Sequence, residues 1–275
     1  MRIDRAVYEA GIDPMDAEVL MSALTGRSRA NLLAHGEAVL TDNQETEWKR
    51  WTQRRTNGEP VAYITGKKEF YGRSFVVTHD TLIPRPATEG LIEAALSFLD
   101  GIERETVIID EGIVALSLSK GDRRDVSCIA DIGTGCGCIA VTLAMERPKL
   151  HCIATDIALS SLDVAKHNAD LHCVSDRMTF WEGDLLSPIT ALTEPFIIVS
   201  NPPYVPEGQV LAREVSYEPA RALYAGREGL NILSRLLREA FRHPYCRGMV
   251  LECREDQVGK LKEETLANAC DTLAL

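Results

Sequence analysis

From Cys128 onward the chain alternates short apolar runs with stretches of helical periodicity, and that rhythm leaves few folds open. Cys128–Ile132, His151–Thr155, Met178–Trp181, Phe196–Ser200 and Met249–Cys253 read as strands. Between and after them, Cys138–Glu146, the series Leu159, Leu162 and Ala165, the series Leu230, Leu233, Leu237 and Phe241, and Asp256–Ala269 read as helices. Strands that alternate with helices predict an α/β fold whose parallel sheet is covered on both faces. Ligands in such folds bind beyond the carboxyl ends of the strands.

The N-terminal third has a different character. Pro14 can open a helix carrying Ala17, Leu20, Met21 and Leu24, with Gly26 as its stop. Ser28–His35 reads as a short helix, and Thr41 or Asp42 can cap another that carries Trp48 and Trp51. Asn57-Gly58-Glu59-Pro60 breaks the pattern. Phe70-Tyr71 and Ser74–Val77 flank Gly72-Arg73 as a hairpin, and Leu82–Pro86 is extended by its prolines before a helix at 88–99. The expected organisation is a small helical domain over 1–66, a hairpin and extended linker over 67–86, and the sheet domain over 87–275. Residues 100–127 mix charges with two apolar runs, 107–109 and 113–116, and read as an inserted surface element.

Composition narrows the functional classes. A net charge of −11 weighs against a stable nucleic-acid partner, because phosphate binding calls for a basic face. The local exception runs from Lys49 to Arg73, with seven basic residues against Glu59 and Glu69. It suits either a solvated helix face or a docking surface for an acidic or RNA-bound partner. No apolar run reaches the length of a membrane span, and the first residues lack a signal core. The eight cysteines have no framework spacing, and Cys128, Cys152 and Cys253 fall in apolar runs as small buried residues. Only Cys136 and Cys138 are close in sequence and the histidines form no ligand motif, so no metal is expected. A reducing, cytoplasmic compartment fits best.

Two motifs carry chemistry. The first is Asp131-Ile132-Gly133-Thr134-Gly135-Cys136-Gly137, between the first sheet strand and its helix. Glycines there let a ligand touch backbone, although the spacing is not that of the dinucleotide fingerprint. Asp156 ends the next strand about 20 residues on, where an acid accepts ribose hydroxyls, or equally caps the following helix. Asp184 follows the third strand and can accept from an adenine amino group, with Leu185 on the ring; it could also be a turn residue. Asp131 can help hold an ammonium. Three acids at successive strand ends, with no Walker-type lysine, suit a cationic sulfonium ligand, S-adenosylmethionine, better than a polyphosphate.

The second motif is Asn201-Pro202-Pro203-Tyr204, directly after the fourth strand. An amide or exocyclic amine is a poor nucleophile because its lone pair is delocalised. The Asn201 side-chain oxygen and the Pro202 carbonyl can each accept one N–H of such a planar NH2 group. The prolines stiffen the loop, and Tyr204 offers a face for stacking. Both motifs together point to methyl transfer onto an amide or amino nitrogen.

With these residues in place, the chain resembles the HemK/PrmC-type glutamine N5-methyltransferases that modify peptide-chain release factors. The likeness runs from about residue 10 to 265. It includes Arg55–Pro60, Tyr63–Gly66, Leu82–Pro86 with Thr88-Glu89, both motifs above, Glu218-Pro219 with Ala222-Leu223, and Gly226 with Gly229-Leu230. The resemblance implies a helical substrate-recognition domain, a hairpin linker and a Rossmann-like S-adenosylmethionine-dependent catalytic domain. It implies that Gly133–Gly137, Asp156, Leu185 and Asn201 contact the cofactor. It also implies that Asn201–Tyr204 hold the glutamine of a Gly-Gly-Gln loop in a class-1 release factor. Separately, no membrane partner and a monomer are expected. A ribosomal-protein glutamine is an alternative target, and an adenine or guanine amino group of DNA or RNA is the runner-up. Three departures stand out: Ala87 replaces the family's usual acid, 100–127 is longer than the usual link, and the two-stranded hairpin that normally ends the family's sheet does not follow the last strand before Leu275. Either the C-terminal strands are missing or the sheet closes in some other way, since a bare edge would invite aggregation.

Overall fold

A computed structural model describes residues 1–101, 107–109, 112–118 and 126–273. It divides into two compact units, Met1–Lys67 with Leu211–Tyr217, and Lys68–Val210 with Glu218–Leu275.

The first unit is helical: α1 (Ile3–Tyr8), α2 (Pro14–Thr25), α3 (Arg29–Ala34), α4 (Asp42–Thr56) and α5 (Val61–Thr65). Local chemistry sets the ends. The Asp13 carboxylate accepts the Met15 and Asp16 N–H groups at the start of α2, and Gly26 closes it in the left-handed conformation. Thr41 and Gln44 form a reciprocal capping box on α4. Ile3, Leu20, Met21, Leu32, Trp48 and Ile64 meet in the core. The sequence does not reveal that Leu211–Tyr217 joins this unit. The Arg55 guanidinium, already on Asp16 at 2.6 Å, also pairs with Glu214, and the Tyr217 hydroxyl donates to the Asn57 carbonyl at 3.0 Å.

The basic stretch is largely spent inside the protein. Arg50 pairs with Glu47, Arg54 with Glu59, Arg55 with Asp16 and Arg73 with Glu146. Four of its seven cations therefore already have acidic partners within the protein.

The hairpin β1 (Lys67–Phe70) and β2 (Arg73–Val76) belongs to the second unit from Lys68 onward. Its turn is Tyr71-Gly72, one residue earlier than expected, because both adopt positive φ (51° and 68°), as the tightest hairpin turn requires. There follow α6 (Ala87–Leu99), β3 (Val107–Ile109), β4 (Ile113–Ser117), β5 (Cys128–Ile132), α7 (Cys138–Glu146), β6 (His151–Asp156), α8 (Leu159–Leu171), β7 (Met178–Glu182), β8 (Phe196–Ser200), α9 (Asn231–Arg242), β9 (Cys246–Glu252) and α10 (Val258–Leu273). The hairpin is bound to this unit: the Asn168 side chain on α8 accepts from the Val76 N–H and donates to its carbonyl.

The sheet order is β3-β4-β9-β8-β5-β6-β7. β9, β8, β5, β6 and β7 are parallel, and every residue of β5 and β8 is buried. β4 runs antiparallel to β9, and β3 antiparallel to β4. This corrects the reading of 100–127 as a surface insert and bears out the expectation that the sheet closes in another way. The 100–127 segment is not merely a surface element, since Val114, Ala115 and Leu116 of β4 are buried in the sheet. The β9 edge is not bare, because the same segment supplies a two-stranded antiparallel ribbon there. Residues 102–106, 110–111 and 119–125 of that segment lie outside the described residues. Among the described residues no helix is long and apolar enough to cross a membrane.

Candidate active site

A cavity of about 420 Å³ opens at the carboxyl ends of β5, β6, β7 and β8. Its floor is the glycine turn. The Gly133 and Thr134 N–H groups both donate to the Thr155 carbonyl at 2.9 Å, tying the turn to β6. Gly133 and Gly135 have positive φ (74° and 55°), and a Cβ added to either would meet no protein atom within 4 Å. The space they leave is open to a ligand, which is the cradle a backbone-hugging cofactor needs. Gly137 serves packing instead: its Cβ would come within 3.0 Å of Ala165 on α8.

The acids divide into different jobs. Asp156 lines the cavity; its Oδ2 accepts the Gly135 N–H at 3.0 Å and its Oδ1 the Ala158 N–H at 2.9 Å. It therefore shapes the turn and opens α8, and each oxygen keeps a second lone pair for a ligand hydroxyl. Burial raises its pKa against those backbone hydrogen bonds. Asp184 and Leu185 also line the cavity, but the Asp184 carboxylate is held by Arg235 at 2.7 Å. That leaves one Asp184 oxygen for an amino group.

Asp131 is fully buried and does not border the cavity. Its Oδ2 accepts from the Thr134 hydroxyl at 2.7 Å and the Ala140 N–H at 3.2 Å, while Oδ1 has no hydrogen-bond partner among the described residues. It braces the turn from below rather than touching a ligand. Burial pushes its pKa up to about 7, opposed by those two donors. A cationic ligand above the turn would relieve this charge, so the residues present suit a positively charged, nucleoside-bearing group. Gly137 likewise stands behind the wall, whereas Thr134 and Cys136 line it.

On the opposite wall stand Asn201, Pro202 and Pro203. The Asn201 Nδ2 donates to the Thr88 hydroxyl of α6 at 3.0 Å, which leaves its Oδ1 free to accept. Tyr204 does not border the cavity. Its hydroxyl donates to Glu252 at 2.8 Å and its carbonyl accepts from Gln257 Nε2 at 3.0 Å, so the expected stacking face is instead an anchor of the loop. The same loop is stapled by Val205 N–H to Leu223 O and Ala225 N–H to Val205 O.

Thr88, Glu252 and Gln257 were not singled out as site residues in the sequence, because they lie 48 to 113 residues from the loop residues they bond. Thr88 and Glu218 did lie in motif segments. Glu218 accepts the Ile83 N–H and pairs with Arg85, which fixes the extended stretch leading to Thr88. Cys128, His151 and Glu194 also gather with ligand atoms within 4.8 Å of one another, at the amino-terminal strand ends away from the cavity. The His151 ring is engaged by the Thr179 hydroxyl, and burial pushes the Cys128 thiol up to about 12, which disfavours the thiolate a metal would need.

The sheet order, the turn after β5 and the asparagine–proline loop after β8 define a Rossmann-like α/β methyltransferase with a small helical N-terminal region. The model of the methyltransferase small domain matches residues 108–226, and that of the PrmC N-terminal domain matches residues 6–66. The hMettl16 catalytic domain in complex with MAT2A 3′UTR hairpin 1 superposes with a TM-score of 0.51 at 15% identity, covering 92% of this chain and 82% of that one, a likeness of fold. The release factor glutamine methyltransferase of Bacillus anthracis is 37% identical over 85% of this chain and 76% of its own length. The enzymes of that name from Coxiella burnetii and Chlorobaculum tepidum are 34% and 40% identical, over 90% and 77% of this chain and 81% and 68% of their own lengths. The chain belongs to the release factor glutamine methyltransferase family.

Proposed function

We propose that this chain transfers the methyl group of S-adenosylmethionine to the side-chain amide nitrogen (N5) of the glutamine in the Gly-Gly-Gln loop of a class-1 peptide-chain release factor, tuning translation termination. The observation that carries this reading is the place of Asn201: it lines the cavity that the glycine turn also lines, and with its NH2 donating to Thr88 its Oδ1 is left to accept from a substrate amide.

The cofactor, when bound, supplies an electrophilic sulfonium methyl. Gly133–Cys136, Asp156, Asp184 and Leu185 would hold it, with Asp131 stabilising its cationic end through the turn. Asn201 Oδ1 and the Pro202 carbonyl accept the two N–H bonds of the glutamine amide, turning its nitrogen lone pair toward the methyl. Each such bond contributes about 1 kcal/mol net. Alignment contributes more, because holding reactants in register can remove roughly 7–11 kcal/mol from a barrier. The stapled loop provides that alignment. No side chain need take a proton before attack, since the amide becomes acidic only once the methyl has arrived. The seven described cysteines are free thiols, as suits the reducing cytoplasm where translation runs.

The test is incubation of the protein and S-adenosylmethionine with a class-1 release factor, with a ribosomal protein and with nucleic acid, followed by mass spectrometry. One methyl on the Gly-Gly-Gln glutamine is expected. Methyl on another protein's glutamine would move the target, and methyl on a base would replace the reading.

A further inference from the structure

Helix α9 has two working faces. Leu233, Leu236, Leu237 and Ala240 pack into the core. Ile232 and Arg235, one turn apart, border the cavity instead. The Arg235 Nη2 donates to Asp184 Oδ2 at 2.7 Å, and Glu239, one turn further on, stands 3.7 Å from the same nitrogen. Glu239 also reaches the turn after β7, where its Oε2 accepts the Leu186 N–H at 3.1 Å. That bond closes directly behind Leu185, which lines the cavity with a φ of 50°, in the left-handed region. Bulky residues seldom adopt that conformation, and it persists where the surroundings hold it. One face of α9 therefore grips the turn Asp184–Leu186 at its side chain and at its backbone.

The Asp184–Arg235 pair is half-exposed, and such a pair contributes little to stability. Its consequence lies in what a ligand meets. An ionised carboxylate only accepts hydrogen bonds. With Oδ2 held by the guanidinium, the carboxylate cannot turn away, and Oδ1 is left for the ligand. An exocyclic amino group donates to that oxygen. A keto oxygen in the same place sets acceptor against acceptor.

We propose that Arg235 and Glu239 are positioning residues for the purine of the cofactor. Arg235 fixes Asp184 so that the site selects a 6-amino over a 6-keto purine, and Glu239 holds the turn that offers Leu185 to the ring. This rests on the reading of the cavity as the S-adenosylmethionine site and adds the device by which it recognises the base. It does not depend on which acceptor is methylated.

The experiment is calorimetry on the full chain with S-adenosylhomocysteine and S-inosylhomocysteine, which differ at that one group and cannot turn over. The wild type is expected to favour the amino ligand by about tenfold or more, the size of a hydrogen bond to a charged group. Arg235→Met is expected to remove most of that preference by weakening the amino ligand alone, with the melting temperature within about 2 °C of the wild type. Arg235→Lys, which keeps one charged donor, is expected to recover part of it. Asp184→Asn can turn its NH2 to a keto oxygen and is expected to abolish it. Glu239→Leu is expected to weaken both ligands alike, and Glu239→Gln, which can still accept the Leu186 N–H, to restore them. A preference that survives in Arg235→Met, or equal losses of both ligands there, would overturn the proposal. Should Arg235→Met fail to fold, wild-type preference in Asp184→Asn would overturn it as well. A wild type that binds neither ligand would overturn the cofactor reading, and this proposal with it.

Discussion

The turn after β5 and the loop after β8 stand at neighbouring strand ends and solve opposite problems. The first must let a ligand come close to backbone, and it does so by removing side chains at Gly133 and Gly135. The second must hold two acceptors still, and it does so with Pro202 and Pro203 and with clamps on Tyr204 from Glu252 and Gln257. Each is braced by a buried carboxylate with one oxygen that has no hydrogen-bond partner among the described residues, Asp131 under the turn and Glu252 behind the loop. Asp131 braces the turn through donors of that same turn and its helix, Thr134 and Ala140. Glu252 reaches its loop from another strand. Binding and chemistry are thus carried by separate supports, and damage to one should leave the other standing.

The largest effect should come from Asn201→Ala, expected to lower kcat by about a hundredfold or more, in line with the loss of a preorganised polar group at a reacting centre. S-adenosylmethionine affinity should stay within roughly tenfold, about 1.4 kcal/mol. Single-turnover kinetics and calorimetry on one preparation separate the two. Unchanged turnover would remove the loop from the chemistry.

Asp156→Ala should show the converse, with cofactor affinity weakened by about ten- to a hundredfold. Hydrogen bonds to a charged group contribute roughly 1.5–3 kcal/mol, and this carboxylate also holds the Gly135 N–H. An unaltered dissociation constant would contradict the assignment of the turn to the cofactor. Gly135→Ala should weaken cofactor binding by a smaller factor, since positive φ costs a non-glycine residue about 1–2 kcal/mol and the new methyl enters the cavity. Gly137→Ala should instead lower the melting temperature, because its methyl meets Ala165. If both glycines behaved alike, the distinction between cradle and packing would be lost.

The smallest effect is on stability against pH. The Asp131 carboxyl has a folded pKa of about 7, raised above its ordinary value near 3.8, so the folded protein holds that proton more tightly than the unfolded chain. Its contribution is fully present below the ordinary value and is lost as pH rises toward 7 and beyond. The ligand-free protein should therefore lose a few °C of melting temperature through this group between about pH 4 and pH 8, and Asp131→Asn should flatten that slope. A slope that survives the substitution would place the titration elsewhere.

Much of this was legible in the sequence because it is written locally. The strands that are apolar on both faces, the Gly26 stop, the Thr41 cap and the turn after β5 follow from residue type and spacing. So does Asn201, since a polar residue before two prolines at a strand end has few structural uses. What escaped depends on pairing across distance. The 107–117 strands looked like a surface insert because nothing in their composition says that they line up beside β9. Tyr204 was read as a stacking face because its partner, Glu252, lies 48 residues on. Asp131 was read as a possible ligand contact because sequence cannot show that Thr134 and Ala140 turn its carboxylate inward. The exchange of Leu211–Tyr217 into the helical unit depends on Arg55 and Asn57, some 160 residues earlier in the chain.

The most direct test is to digest a class-1 release factor after reaction with the wild-type chain and with Asn201→Ala, and to weigh the peptide bearing the Gly-Gly-Gln motif. The account predicts a single added methyl, localised to the glutamine side chain, with the wild type and none with the variant under the same cofactor saturation. An unmodified glutamine with the wild type, or equal methylation by both proteins, would contradict it.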